Sequence, residues 1–144
     1  MERFREDHPG SEFPSVQSLS ESKRRQLNQE LAVKLGLPGE TEAIDVVKRL
    51  HESFETPSSY NATDQAFKLR SLVKDLDIET AENVYINWDQ FDHVDKIRFA
   101  DLADYFVYIW YSVSDDIEIF DDTLRWAIVI RHDGAVAFVP MISP

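Results

Sequence analysis

A chain of 144 residues with 43% apolar and 12% aromatic side chains is long enough to form one core without staples and too apolar to stay disordered. It has no cysteine, which excludes disulfides and thiolate metal sites, and no apolar run approaches the length of a membrane span. With 27 acidic against 15 basic side chains the net charge is −12, which disfavours direct binding to phosphate-rich nucleic acid.

That charge is unevenly placed. Residues 1–76 carry 13 acidic and 11 basic side chains, whereas residues 77–122 carry 13 acidic and only 2 basic ones. A solvated, solubilising face explains such a distribution, and so does a docking surface whose single-signed field steers a cationic partner inward. The opening Met-Glu-Arg-Phe-Arg-Glu has no apolar leader, so a cytoplasmic location is expected.

In chain order, residues 1–19 read as an extended arm broken by Pro9, Gly10 and Pro14 and pinned by Phe13 and Val16; residues 20–144 read as one domain. Ser20 offers an N-cap to a helix with Leu27, Leu31 and Leu35 on one face, and Gly36-Leu37-Pro38 supplies its stop. The basic triplet Lys23-Arg24-Arg25 is expected to be solvated or paired with acid. A second helix near Thr41 is expected to bury Ile44, Val47, Leu50, His51 and Phe54. A third opens near Asn61 or Thr63 and uses Ala66, Leu69, Leu72, Val73 and Leu76.

At Asn83 the period changes to alternation, with Val84, Ile86 and Trp88 on one side and Tyr85 and Asn87 on the other, which predicts a strand. Asp89 is expected to cap a turn or short helix through Phe91, Val94 and Ile97. Phe99, Leu102, Phe106 and Ile109 then form a helical stripe, with strand as the competing reading for Tyr105 to Tyr111. Alternation in Asp116 to Phe120 points Ile117 and Ile119 inward and the carboxylates outward, as an edge strand or extended loop.

Leu124 to Phe138 reads as a β-hairpin around Asp133-Gly134. A two-residue loop pairs Ile130 with Ala137 and Val129 with Phe138; a bulge that takes in His132 moves the register by one. Both faces are apolar, which suits strands covered on both sides, and Pro140 belongs at a sheet edge. The expected architecture is α+β, with a helical N-terminal half packed on a mostly antiparallel sheet of three or four strands.

No nucleophile motif and no phosphate-cradling glycine loop is present. Asp115, Asp116, Glu118, Asp121 and Asp122 have ligands suited to a hard cation, but their spacing is unlike an EF-hand and no central glycine provides its turn, so neither metal nor cofactor is expected. Asp89, Asp92, His93 and Asp95 are the close grouping of acid and imidazole; the window reads as exposed, so helix capping and surface charge explain it better than hydrolytic or metal-dependent catalysis through Asp89, Asp92 and His93 does. Trp110 and Tyr111 beside the acids have the composition of an interface, apolar anchors within a polar rim, although core packing is the commoner use of such aromatics.

The pattern Asp104-Tyr105-Phe106, Ile109-Trp110-Tyr111, Ser114-Asp115-Asp116-Ile117, Phe120-Asp121 and Trp126 to Gly134 resembles small acidic bacterial immunity proteins over roughly residues 83 to 138. The resemblance implies a non-enzymatic inhibitor that covers the basic cleft of a toxin or nuclease. In that reading Asp115, Asp116, Glu118, Asp121 and Asp122 steer the partner, and Trp110 and Tyr111 anchor it. A regulatory module with a merely solvating acidic face is the other non-enzymatic reading.

Overall fold

A computed structural model describes residues 16–52, 61–64, 67–88, 91–110 and 116–141. In chain order these form β1 (Gln17–Ser18), α1 (Glu21–Lys34), α2 (Ala43–Glu52), α3 (Leu69–Asp75), β2 (Asn83–Asn87), β3 (Val94–Arg98), α4 (Phe99–Asp104), α5 (Phe106–Ile109), β4 (Ile117–Phe120), β5 (Trp126–Ile130) and β6 (Val136–Pro140). The α+β class is as expected. The sheet, however, has six strands in the order β1-β3-β2-β4-β5-β6, all antiparallel, where three or four were expected.

Helices cover both faces. One face packs Leu27 and Leu31 of α1 and Val46 and Leu50 of α2 against Tyr85, Phe120, Val129 and Val139. The other packs Leu69 and Leu72 of α3, Leu102 of α4 and Phe106 of α5 against Val84, Ile119, Ile128 and Val136. Each fully buried Leu or Ile contributes about 1.5–3 kcal/mol through its removal from water, so the inner strands β2, β4 and β5 can be apolar on both sides.

Local chemistry accounts for most boundaries. Ser20 caps α1, its Oγ accepting from Lys23 N at 3.2 Å. Gly36 adopts φ +80° after the helix, and Leu37 N reaches back to Ala32 O at 2.8 Å, closing the last turn. The basic triplet makes local bonds: Arg24 donates to Leu19 O and Arg25 pairs with Glu21. In α2 the buried stripe is Val46 and Leu50, while Ile44 is 51% exposed, so the expected stripe is rotated; Phe54 lies outside the described residues.

The third helix starts at Leu69, later than expected, because its proposed opening is held elsewhere. Asn61 Oδ1 accepts from Thr63 N at 2.9 Å in a local turn, Ala62 N donates to Gly134 O, and Asn61 bridges Ala135. Ala66 lies outside the described residues. The expected turn or helix through Phe91, Val94 and Ile97 is instead the turn and strand of a hairpin, β3 pairing β2 from Asn83↔Arg98 to Asn87↔Val94. In β3, Val94 packs on the α1/α2 face and Ile97 on the other, a period of two that charged neighbours conceal. The residues just before α1 also join the sheet: β1 pairs with β3, and Leu19 N donates to Val94 O at 2.9 Å. Val16 is 41% exposed, whereas Leu19 is buried; Phe13 lies outside the described residues.

The C-terminal hairpin takes the bulged register. Ile130 faces Val136, Val129 faces Ala137 and Ile128 faces Phe138. Arg131 N bonds Ala135 O, leaving His132-Asp133-Gly134 as a three-residue loop with Gly134 at φ +92°. Val136 and Phe138 therefore share a face with Trp126, Ile128 and Ile130, while Ala137 and Val139 join the opposite one. β5 is internal and β6, ending in Pro140, is an edge strand, opposite β1.

Candidate functional site

The sheet has two chemically different ends. At one, β2 and β5 begin and β3 and β4 finish; at the other the three described histidines gather, each beside a carboxylate.

The acidic end is assembled by main-chain and side-chain bonds between segments far apart in the sequence. The connection from α3 to β2 carries Asp77, Glu79 and Glu82, all exposed. It is tied to the β4–β5 turn because Ala81 N donates to Asp121 Oδ2 at 2.9 Å, and to α4 because Phe99 N donates to Glu82 O at 2.8 Å. Asp121 also accepts from Thr123 N at 2.9 Å and from its hydroxyl, and it is wholly buried. Its carboxylate is therefore a structural cap. Asp122 is exposed and accepts from Tyr85 Oη at 2.6 Å. Burial, then the bond and charge of Asp122, and then the charges of Glu30 and Asp121, push the Tyr85 phenol well above its ordinary range. Arg98, paired with Asp101 at 3.2 Å, and Arg125 offset part of this charge.

The histidine end is organised around Glu118, which is 2% exposed. Its Oε1 accepts from Asn87 Nδ2 at 2.9 Å and its Oε2 lies 3.2 Å from His51 Nε2, on the last turn of α2. Asn87, itself fully buried, accepts from Phe91 N at 2.8 Å and so fixes Phe91 at φ +67°. Desolvation holds the Glu118 carboxyl above the usual carboxylate range, against the opposing pull of His51. Arg131 also reaches this end, its guanidinium donating to His51 O at 3.4 Å.

Nearby, Asp116 accepts from His132 N at 2.6 Å and sits 2.9 Å from its Nδ1, tying the hairpin tip to the start of β4. Burial would raise the Asp116 carboxyl, but the His132 donors outweigh it and hold it below the usual range. His93 pairs with Asp95 at 2.9 Å, and Asp95 accepts in addition from Ser18 Oγ at 2.9 Å and Trp88 Nε1 at 3.0 Å.

These positions revise the sequence expectation for the acidic segment. β4 is an inner strand between β2 and β5, not an edge, and Glu118 faces the covering helices where it was expected to face solvent. Asp121 is likewise interior. Asp116 and Asp122 reach solvent at opposite ends of β4, while Tyr111 and Asp115 lie outside the described residues. Trp110 is 5% exposed and stacks on Phe106 with ring centroids 5.9 Å apart, inside the core of the α3–α5 face. Asp89 is outside the described residues; Asp92 is exposed and His93 is bonded to Asp95.

Sequence reading missed the pairing of His51 with Glu118, 67 residues apart, although His51 on an otherwise apolar helix stripe was its one visible sign. It also missed that the connection carrying Asp77, Glu79 and Glu82 is tied to the turn carrying Asp122. Among the described residues no group of three or more His, Asp or Glu is arranged to hold a metal ion, and no helix is long and apolar enough to cross a membrane. No protein-family model, no curated protein and no solved structure matches the chain.

Proposed function

We propose that this chain is a non-enzymatic acidic binding protein that docks a cationic protein, acting as an immunity-type inhibitor over the basic cleft of a toxin or nuclease. The bond that ties the connection carrying exposed Asp77, Glu79 and Glu82 to the turn carrying exposed Asp122 supports this reading, because carboxylates of one sign on joined segments attract a basic surface. The acting surface moves accordingly, from the 115–122 segment to the sheet end at which that segment finishes. An enzymatic reading built on Asp89, Asp92 and His93 draws less support, since Asp92 and His93 are exposed and an open surface does little to tune their protonation.

The test is purification of the chain from its own host, elution of bound protein with salt, and assay of the eluted protein with and without the chain. A cationic protein whose activity the chain inhibits supports the reading. Retention of only neutral or acidic proteins, or binding that survives high salt unchanged, contradicts it.

A further inference from the structure

A groove enclosing about 520 Å³ lies between α1 and the β4–β5 turn, beside the acidic end. Its floor is apolar: Val33, 62% exposed, lines it together with Leu124, which the turn holds at φ +51°. Its walls are polar. Glu30, which accepts from Gln26 Nε2 at 3.0 Å, lines it from α1, and Asp122, which accepts from Tyr85 Oη at 2.6 Å, lines it from the β4–β5 turn. Lys34 also borders the groove and is engaged in contacts of its own.

We propose that this groove seats an arginine side chain of the cationic partner, its aliphatic stem on Val33 and Leu124 and its guanidinium between Glu30 and Asp122. The inference rests on the proposed docking function and assigns it a specific seat. Arginine fits better than lysine for two reasons. Its planar, weakly hydrated head suits an apolar floor, and its fork of donors can satisfy two carboxylates at once, where an ammonium is a strongly hydrated point charge. The cavity of about 420 Å³ lined by Phe67, Leu69 and Phe106 is of mixed charge, with Lys68 and with Arg70 paired to Asp104 at 2.8 Å.

The probe is an acetylated, amidated hexa-arginine peptide, titrated at low ionic strength into the full chain labelled for methyl and amide NMR, with hexa-lysine as the comparison. Saturable shifts of the Val33 and Leu124 methyls, with weaker binding of hexa-lysine, are expected. Glu30→Gln and Asp122→Asn should each weaken hexa-arginine by roughly tenfold. Val33→Ser should weaken it with every charge retained, and Lys34→Gln should tighten it. These positions line an open groove, so an unchanged thermal melt confirms that each variant remains folded. Shifts confined to Asp77, Glu79 and Glu82, with a silent groove, overturn the arginine seat while leaving the acidic docking surface in place. Absence of binding by either peptide overturns both.

Discussion

Replacing Asn87 by Ala should be among the most damaging single changes at the histidine end, although Asn87 is a small side chain. Its amide makes two buried bonds at once, donating to Glu118 at 2.9 Å and accepting from Phe91 N at 2.8 Å. Losing the first removes a charge-assisted bond worth about 1.5–3 kcal/mol, and losing the second orphans a buried N–H at about 1–3 kcal/mol. Phe91, at φ +67°, then has no side chain to hold a conformation that costs an L residue roughly 1–2 kcal/mol. The bonds share one side chain and one shell, so a combined loss of about 3–5 kcal/mol is expected. For a chain of this size that corresponds to a fall in Tm of roughly 10–15 °C. Urea unfolding followed by tryptophan fluorescence measures the loss. Asn87→Asp sharpens the test: it keeps an acceptor for Phe91 N but sets a second carboxylate against Glu118. That variant should be weak at pH 7.5 and recover toward pH 5, as the two carboxyls come to share a proton. A loss below about 1 kcal/mol for Asn87→Ala would show that the network does not hold the β2–β3 turn.

Glu118 gives a prediction of opposite sign. Its folded pKa is raised by desolvation, so its contribution to stability is full below the unfolded carboxylate range and is lost as pH rises through the folded value. Glu118→Gln can still accept from Asn87, and its stability relative to the native chain should improve as pH rises above the ordinary carboxylate range in paired urea melts. A relative stability that falls with pH would reverse the assignment. Asp121→Ala, which strips the acceptor from Ala81 N, Thr123 N and the Thr123 hydroxyl, should cost about 2–4 kcal/mol; a near-neutral result in the same assay would return Asp121 to the surface acids. Gly134→Ala combines a positive φ with a Cβ directed at the Asn61 carboxamide and should cost about 1–3 kcal/mol by thermal melt, while a stability gain there would contradict the bulged hairpin loop.

Elements with strong local signals were legible in the sequence. Ser20, the leucines of α1 and Gly36 marked both ends of that helix, and alternation through Val84 and Ile86 marked β2 and its two faces. The Phe99-to-Ile109 stripe also appears as expected, though divided at Tyr105 into two short helices. The hairpin was visible, but its register depended on whether His132 entered the loop, and the bond from Asp116 to His132 N helps decide that from 16 residues away.

What escaped depended on context beyond local pattern. Glu118 between two isoleucines looks like an outward acid on a half-buried strand. Only the helices on both faces make that position interior, and only His51 and Asn87 make it tolerable there. β3 and β1 are short and polar, and their strand character lies in pairing with β2 and with each other. The acidic end is likewise tertiary: 40 residues separate Ala81 from Asp121, and no spacing rule connects them.

If carboxylates at the acidic end recruit a cationic partner, as proposed, the association rate constant must depend on them. Once a partner is purified, stopped-flow association should be measured from low to high salt for the native chain and for a variant carrying Asp77→Asn, Glu79→Gln, Glu82→Gln and Asp122→Asn. The native rate should fall steeply, by roughly tenfold or more over that range, while the variant starts slow and changes little. Equal rates and equal salt slopes for the two proteins would contradict the proposal.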